Sequence, residues 1–185
     1  MTLRFTSTPI RYSPSPRVKL PLGYLTPSPS LPEIYVDADA CPVKQEAIQV
    51  AERHGLIVHI VSNGGLRPSR HPLVRHVIVE QGADVADDWI AERIGAGDIA
   101  ITSDIPLASR CLKKEAIVLG PTGNAFTVES IGLALGMRDL HRHLREATGT
   151  QTFNANFTKA DRSRFLGALE NAVQAARRKA PKPGA

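Results

Sequence analysis

The chain has 185 residues, 42% of them hydrophobic, with two cysteines and a formal net charge of +5; this is ample for one domain with a real core and short for two. The positive charge lies at the ends: Arg4, Arg11, Arg17 and Lys19 with no acid in residues 1–32, and Arg177, Arg178, Lys179 and Lys182 at the close, so residues 33–176 hold 15 basic and 18 acidic side chains. That distribution argues against a broad basic binding face, two cysteines exclude a disulfide framework and fit a reducing, cytoplasmic setting, and no apolar run approaches a membrane span.

Residues 1–32 carry seven of the 14 prolines and five serines. They lack the apolar block of a secretory signal, and the prolines prevent a stable amphipathic helix. The stretch reads as a disordered basic tail, or as upstream sequence included by an early start codon, in preference to an organellar targeting segment. It is set apart from the fold, which is expected over residues 33–176, with a basic disordered tail at 177–185.

Ile34-Tyr35-Val36 is an apolar strand that stops at Asp37-Ala38-Asp39-Ala40-Cys41-Pro42. Pro42 suits the first turn of a helix, where its missing N–H would have had no partner. Val43 to Arg53 follows with helical spacing and Gly55 as its stop. Leu56 to Val61 reads as a second strand ending at Ser62-Asn63-Gly64-Gly65. Leu66 to Val74 holds Pro68 and Pro72 and reads as loop or irregular helix, with Val77-Ile78-Val79 as a third strand. Val85 to Ile94 has the spacing of a helix, with Asp84 as its N-cap.

Ile99-Ala100-Ile101-Thr102 is a fourth strand ending at Ser103-Asp104, and Pro106 opens a helix through Leu112. Ala116 to Leu119 is a fifth strand, Thr127 to Met137 and Arg138 to Glu146 are helical, and Thr158 with Asp161 imitates a capping box before a final helix striped by Phe165, Leu166, Leu169, Val173 and Ala176. Strands alternating with helices predict an α/β domain: a doubly wound, mostly parallel sheet of five strands flanked by helices.

Acids fall at three predicted strand ends or helix starts: Asp37 with Asp39, Asp84 with Asp87 and Asp88, and Asp104. Ligands of open α/β sheets bind outside the carboxyl ends of the strands, so if strands one and four are neighbours at the switch point, Asp37 and Asp104 face one crevice. Oxygen clusters suit hard divalent cations such as Mg²⁺ or Mn²⁺, and two such ions about 3.5–4 Å apart can promote phosphodiester cleavage. The structural alternative is that Asp39, Asp84, Asp87 and Asp88 cap helices or oppose their dipoles. Asn63, Arg67 and Arg70, with His71 and Arg75, are candidate contacts to substrate phosphate, the alternative being a solvated loop. Beside two aspartates the Cys41 thiol is expected to be pushed up and unreactive, Cys111 and Trp89 read as core, and His141 and His143 face different ways on a helix.

Asp37-Ala38-Asp39-Ala40-Cys41-Pro42, Ser62-Asn63 with Leu66-Arg67 and Pro68-Ser69-Arg70, Gly82-Ala83-Asp84-Val85-Ala86-Asp87, and Gly97-Asp98 through Thr102, Asp104 and Ile105-Pro106-Leu107-Ala108 together resemble the bacterial YaiI/YqxD family, continuing through Met137-Arg138-Asp139 and the Asp161-Arg162 helix. The resemblance covers about residues 34–170 and implies an α/β domain similar to PIN and NYN nuclease domains. On that pattern the metal-binding acids are Asp37, Asp87 and Asp104, with Asp39 as an extra acid. The family is one of unknown function; the acid cluster in a fold related to nucleases points to a metal-dependent nuclease, with Mg²⁺ or Mn²⁺ as cofactor and RNA as partner, and the lack of a long apolar run to no membrane. Two other readings stand beside it. One is a haloacid-dehalogenase-like phosphatase with Asp37 as nucleophile and Asp39 as general acid, although the expected Thr or Val after the pair is absent. The other is a module that binds RNA or protein without catalysis.

Overall fold

The computed structural model describes residues 31–39, 41–64, 69, 71–82, 84–134, 136–137 and 157–179. The N-terminal extension to residue 30, the helix expected at 138–146 and the last six residues lie outside the described residues. In chain order the elements are β1 (Ile34–Asp37), α1 (Lys44–His54), β2 (Val58–Ser62), β3 (Val74–Ile78), α2 (Val85–Arg93), β4 (Ile99–Ile101), α3 (Ile105–Leu112), β5 (Ile117–Leu119), β6 (Ala125–Phe126), a helix beginning at residue 128 (α4), and α5 (Lys159–Lys179).

The six strands form one sheet in the order β3-β2-β1-β4-β5-β6. The first five run parallel, and β6 pairs antiparallel with β5. Alternation along short apolar strands supplies both faces of the sheet. Ile34, Val36, Ile60, Ile99 and Ile101 join a core with Ala47, Val50 and Ala51 of α1 and Phe165, Leu169 and Val173 of α5. Tyr35, Val61, Ala100 and Val118 join a second core with Ile90 of α2 and Leu107, Ala108 and Cys111 of α3. Helices thus cover both faces, as the alternating pattern predicts, and β1 and β4 are adjacent at the centre.

Local chemistry sets the ends. Gly55 closes α1 in the left-handed conformation, φ 64°, where a side chain is disfavoured. At the start of α5, Thr158 donates its N–H (2.8 Å) and its hydroxyl (2.6 Å) to Asp161 Oδ2, and Asp161 N–H donates to Thr158 Oγ1 at 3.2 Å. That reciprocal pair is a working capping box, and the Thr158 hydroxyl is the largest influence holding the Asp161 carboxyl down to about 2.

Three expectations need correcting. β3 begins at Val74 directly after Pro72-Leu73, three residues earlier than expected, because proline removes its own N–H from the ladder and leaves the next residues free to pair. β6 was not legible, since two residues carry no alternation to read. α5 runs on through Lys179, so the first three residues expected as tail are helical, and Arg177 donates to the His54 carbonyl of α1.

Gly123 marks where the β5–β6 turn meets α5: its φ is +87°, and a Cβ added there would lie 2.9 Å from the Arg164 carbonyl carbon and oxygen. Gly55 has φ +64° with nothing within 4 Å. Gly55→Ala should cost about 1 kcal/mol, for the backbone conformation alone. Gly123→Ala should cost roughly 2–3 kcal/mol, as the clash adds to the strain. Urea denaturation of the two variants measures this, and equal losses would contradict the packing described.

Candidate functional site

Asp37 is the last residue of β1, and the parallel register Val36↔Ile101 carries the chain of β4 out beside it. Connections from β1 and β4 leave in opposite directions, which opens the crevice at the carboxyl edge of the sheet. Thr102, fully buried, bridges the two strand ends. Its hydroxyl accepts from Asp104 N–H (2.9 Å) and therefore turns its own proton toward Asp37 Oδ2, also 2.9 Å away. Asp37 is 5% exposed, and a carboxylate so buried needs such donors to hold it.

Asp104 is the N-cap of α3, with Oδ1 accepting from Leu107 N–H at 2.8 Å. Capping and siting at the crevice coexist in this residue. Asp39 is exposed and does not cap α1, whose N-cap is Val43 with no side-chain cap bond. Its Oδ2 instead accepts Asn63 N–H at 2.8 Å, and Asn63 Nδ2 donates to Gly82 O at 3.4 Å. Lys44 Nζ donates to Ala38 O at 3.0 Å. The Asp37-Ala38-Asp39 turn is thereby pinned from both sides.

Asp84 holds the N-cap position of α2, but with φ 62° and no side-chain cap bond, contrary to the capping role expected of its carboxylate. Asp87, one turn into α2, is half-buried, and its carboxyl is pushed up to about 6, first by burial and then by Asp104, Asp37 and Asp84, with Arg110 opposing. The three acid-bearing junctions therefore act on one group. Asp88 points outward and pairs with Arg110, Oδ1 to Nη2 2.7 Å.

Among the described residues no three acidic, histidine or cysteine side chains are set to hold one ion directly. The all-carboxylate donor set still fits Mg²⁺ or Mn²⁺, which keep most of their waters and lean on one or two carboxylates and on substrate phosphate.

Arg67 and Arg70 lie outside the described residues. His71 sits 3.7 Å from Glu52 of α1, and Arg75 stands in register with His59 and acts on Glu33, so both lie toward the amino ends of the strands, away from the acids. Trp89 belongs to the core beside Tyr35 and His59, with Arg93 4.3 Å above its ring. Burial and then Asp37 push the Cys41 thiol up to about 12, and burial pushes Cys111 up to about 11, so neither is a nucleophile. Sequence reasoning missed Thr102, Lys44 and Arg110 as parts of this edge. Threonine at a strand end and cations on helices are too common to stand out; only the two-residue step from Thr102 to Asp104 carried a signal.

The family model described as "Uncharacterized BCR, YaiI/YqxD family" matches residues 35–175. The chain is 64% identical over 149 residues to a UPF0178 protein of Parvibaculum lavamentivorans, covering 80% of this chain and 98% of the relative. It is 60% identical over 147 residues to one of Rhodospirillum rubrum, covering 79% and 98%, and 57% identical over 145 residues to one of Mesorhizobium japonicum, covering 78% and 94%. No solved structure matches. Among the described residues no helix is long and apolar enough to cross a membrane.

The Asp87 shift fixes a pH dependence. The folded carboxyl titrates near 6 and the unfolded one near its ordinary 3.8, so folding takes up a proton between those values and stability falls as pH rises through that window. In EDTA, Asp87→Asn should leave stability unchanged below pH ~4 and raise it by roughly 1 kcal/mol at pH ~7.5, a figure discounted from the full shift because the group is partly solvated. Denaturation at the two pH values checks this; a variant less stable at the higher pH would contradict it.

Proposed function

We propose that this chain, which belongs to the YaiI/YqxD family, is a divalent-metal-dependent nuclease acting on RNA, with Asp37, Asp87 and Asp104 as its principal metal-binding acids and Asp39 assisting. One observation carries the reading: after burial, Asp104 and Asp37 are the strongest influences raising the Asp87 carboxyl. Acids from β1, α2 and the β4–α3 junction thus stand within electrostatic reach of one another, which supports a site at the switch point. Carboxylates gathered at such cost imply a proton or a cation among them. The resemblance to PIN-like nuclease domains supports the same reading of these acids.

A bound Mg²⁺ or Mn²⁺ would supply an activated water and screen the phosphate charge. The chain's own contribution is positioning. Thr102 fixes the rotamer of Asp37 through its hydroxyl, the α3 cap fixes Asp104, and the Asn63 amide fixes Asp39. Half-buried Asp87 lines its side of the crevice, and a cation bound there would favour its ionised form.

Asp37→Asn keeps an oxygen to accept from Thr102, so it should fold. Its Mn²⁺-dependent cleavage of a labelled single-stranded RNA should fall at least about 100-fold, ~2.7 kcal/mol of barrier. Unchanged cleavage with an unchanged circular dichroism spectrum would refute the assignment. A phosphoenzyme trapped on Asp37 would turn it toward phosphatase chemistry, and tight metal-independent RNA binding without turnover toward a binding module.

A further inference from the structure

A site made of carboxylates repels the polyanion it is proposed to cut. Asp37, Asp39, Asp84, Asp87, Asp88 and Asp104 all lie at the carboxyl edge or in the first turns beside it. Among the described residues Arg110 pairs with one of these acids, and Lys44 with the backbone between Asp37 and Asp39. Lys44 directs Nζ to the Ala38 carbonyl and is part-buried, so it serves the Asp37–Asp39 turn. Just past the end of α3, Lys114 likewise spends its ammonium on the Glu92 carbonyl of α2. Arg110 differs from both. Its side chain is 41% exposed, its Nη2 lies 2.7 Å from Asp88 Oδ1, and it stands close enough to act on Asp87.

We infer that Arg110 is the side chain through which the acid edge engages a backbone phosphate of its nucleic-acid substrate, with Asp88 as the positioning residue that holds the guanidinium there; the inference rests on the nuclease reading. Two arguments carry it. An exposed Arg–Asp pair contributes only ~0–1 kcal/mol to stability, so stability is a weak reason for the pair. A guanidinium presents five N–H donors in a planar fork, and one contact to Asp88 leaves donors for a second, flat, bidentate anion such as a phosphodiester. The tether holds the fork of Arg110, from the last turn of α3, against the first turn of α2, close enough to act on Asp87. A strand lying across the acid edge would present its phosphate to Arg110 and to any metal held by the acids together.

The rival role is purely structural: Arg110 clips α3 to α2 and touches no substrate. Arg110→Ala and Asp88→Ala both remove the ion pair, so that role predicts a similar loss of thermal stability from each and no change in the salt slope of RNA binding from either. A phosphate contact predicts a difference. Affinity for a short fluorescein-labelled single-stranded RNA is measured by anisotropy across a salt titration, on the full chain in the Asp37→Asn background without added divalent metal. Arg110→Ala should flatten the slope of log affinity against log salt by about 0.7, one phosphate contact to a single strand, and weaken binding. Asp88→Ala should keep the slope but lower affinity at fixed salt, and an unchanged or higher affinity would remove its positioning role; Arg110→Lys should keep most of the slope. If the Asp37 parent cuts RNA and Arg110→Ala leaves the slope unchanged, the Arg110 assignment falls while the nuclease reading stands. If the parent neither binds nor cuts RNA, the nuclease reading falls and this inference with it.

Discussion

The parallel pairing of β1 with β4 is the constraint on which the rest depends. It puts Val36 beside Ile101, so the first residues past that ladder, Asp37 and Thr102, emerge together at one edge. The Thr102 hydroxyl then links the two: it accepts the Asp104 amide and donates its one proton to Asp37, a carboxylate that only accepts. Strand order, cap and carboxylate are one mechanical unit. If the sheet order changed, the acids of β1 and of the β4–α3 junction would no longer share a crevice.

That unit gathers negative charge, and Asp87 feels it. Asp87 is brought from the other direction by α2, and its carboxyl is raised by burial and by three acids against one arginine. A structure selected only for stability would hold an asparagine or a cation there. Elsewhere in the same chain, carboxylates have partners: Asp161 in its capping box, Glu170 beside His54 and Arg53, Glu33 on His59 and Tyr35. At Asp87, Asp104, Asp37 and Asp84 raise the carboxyl and Arg110 lowers it.

Much of this was legible in the sequence, and for physical reasons. Ile34-Tyr35-Val36-Asp37 and Ile99-Ala100-Ile101 each stop at a polar phrase followed by a proline-marked helix start, so the strands and their functional ends could be placed together. Alternating elements gave the two-faced sheet, and Phe165, Leu169 and Val173 gave the last helix. What escaped were features that exist only in three dimensions. Asp39 looked like a cap and is instead the partner of an amide 24 positions away. Asp84 occupies the expected position with a backbone conformation that takes its carboxylate out of capping. β6 is too short for any period, and Arg110 acquires meaning only through Asp88 on another helix.

The most direct test of the central claim is a Mn²⁺ titration of the full chain followed by thermal denaturation, run beside Asp37→Asn and Asp104→Asn. Binding to the native state must raise its stability, by about 2.7 kcal/mol at 100 times the dissociation constant. The account predicts a melting temperature that climbs with Mn²⁺ in the parent and stays flat in both variants. No rise in the parent, with both variants more stable than it at every metal concentration, would mean that these acids repel one another and bind no metal.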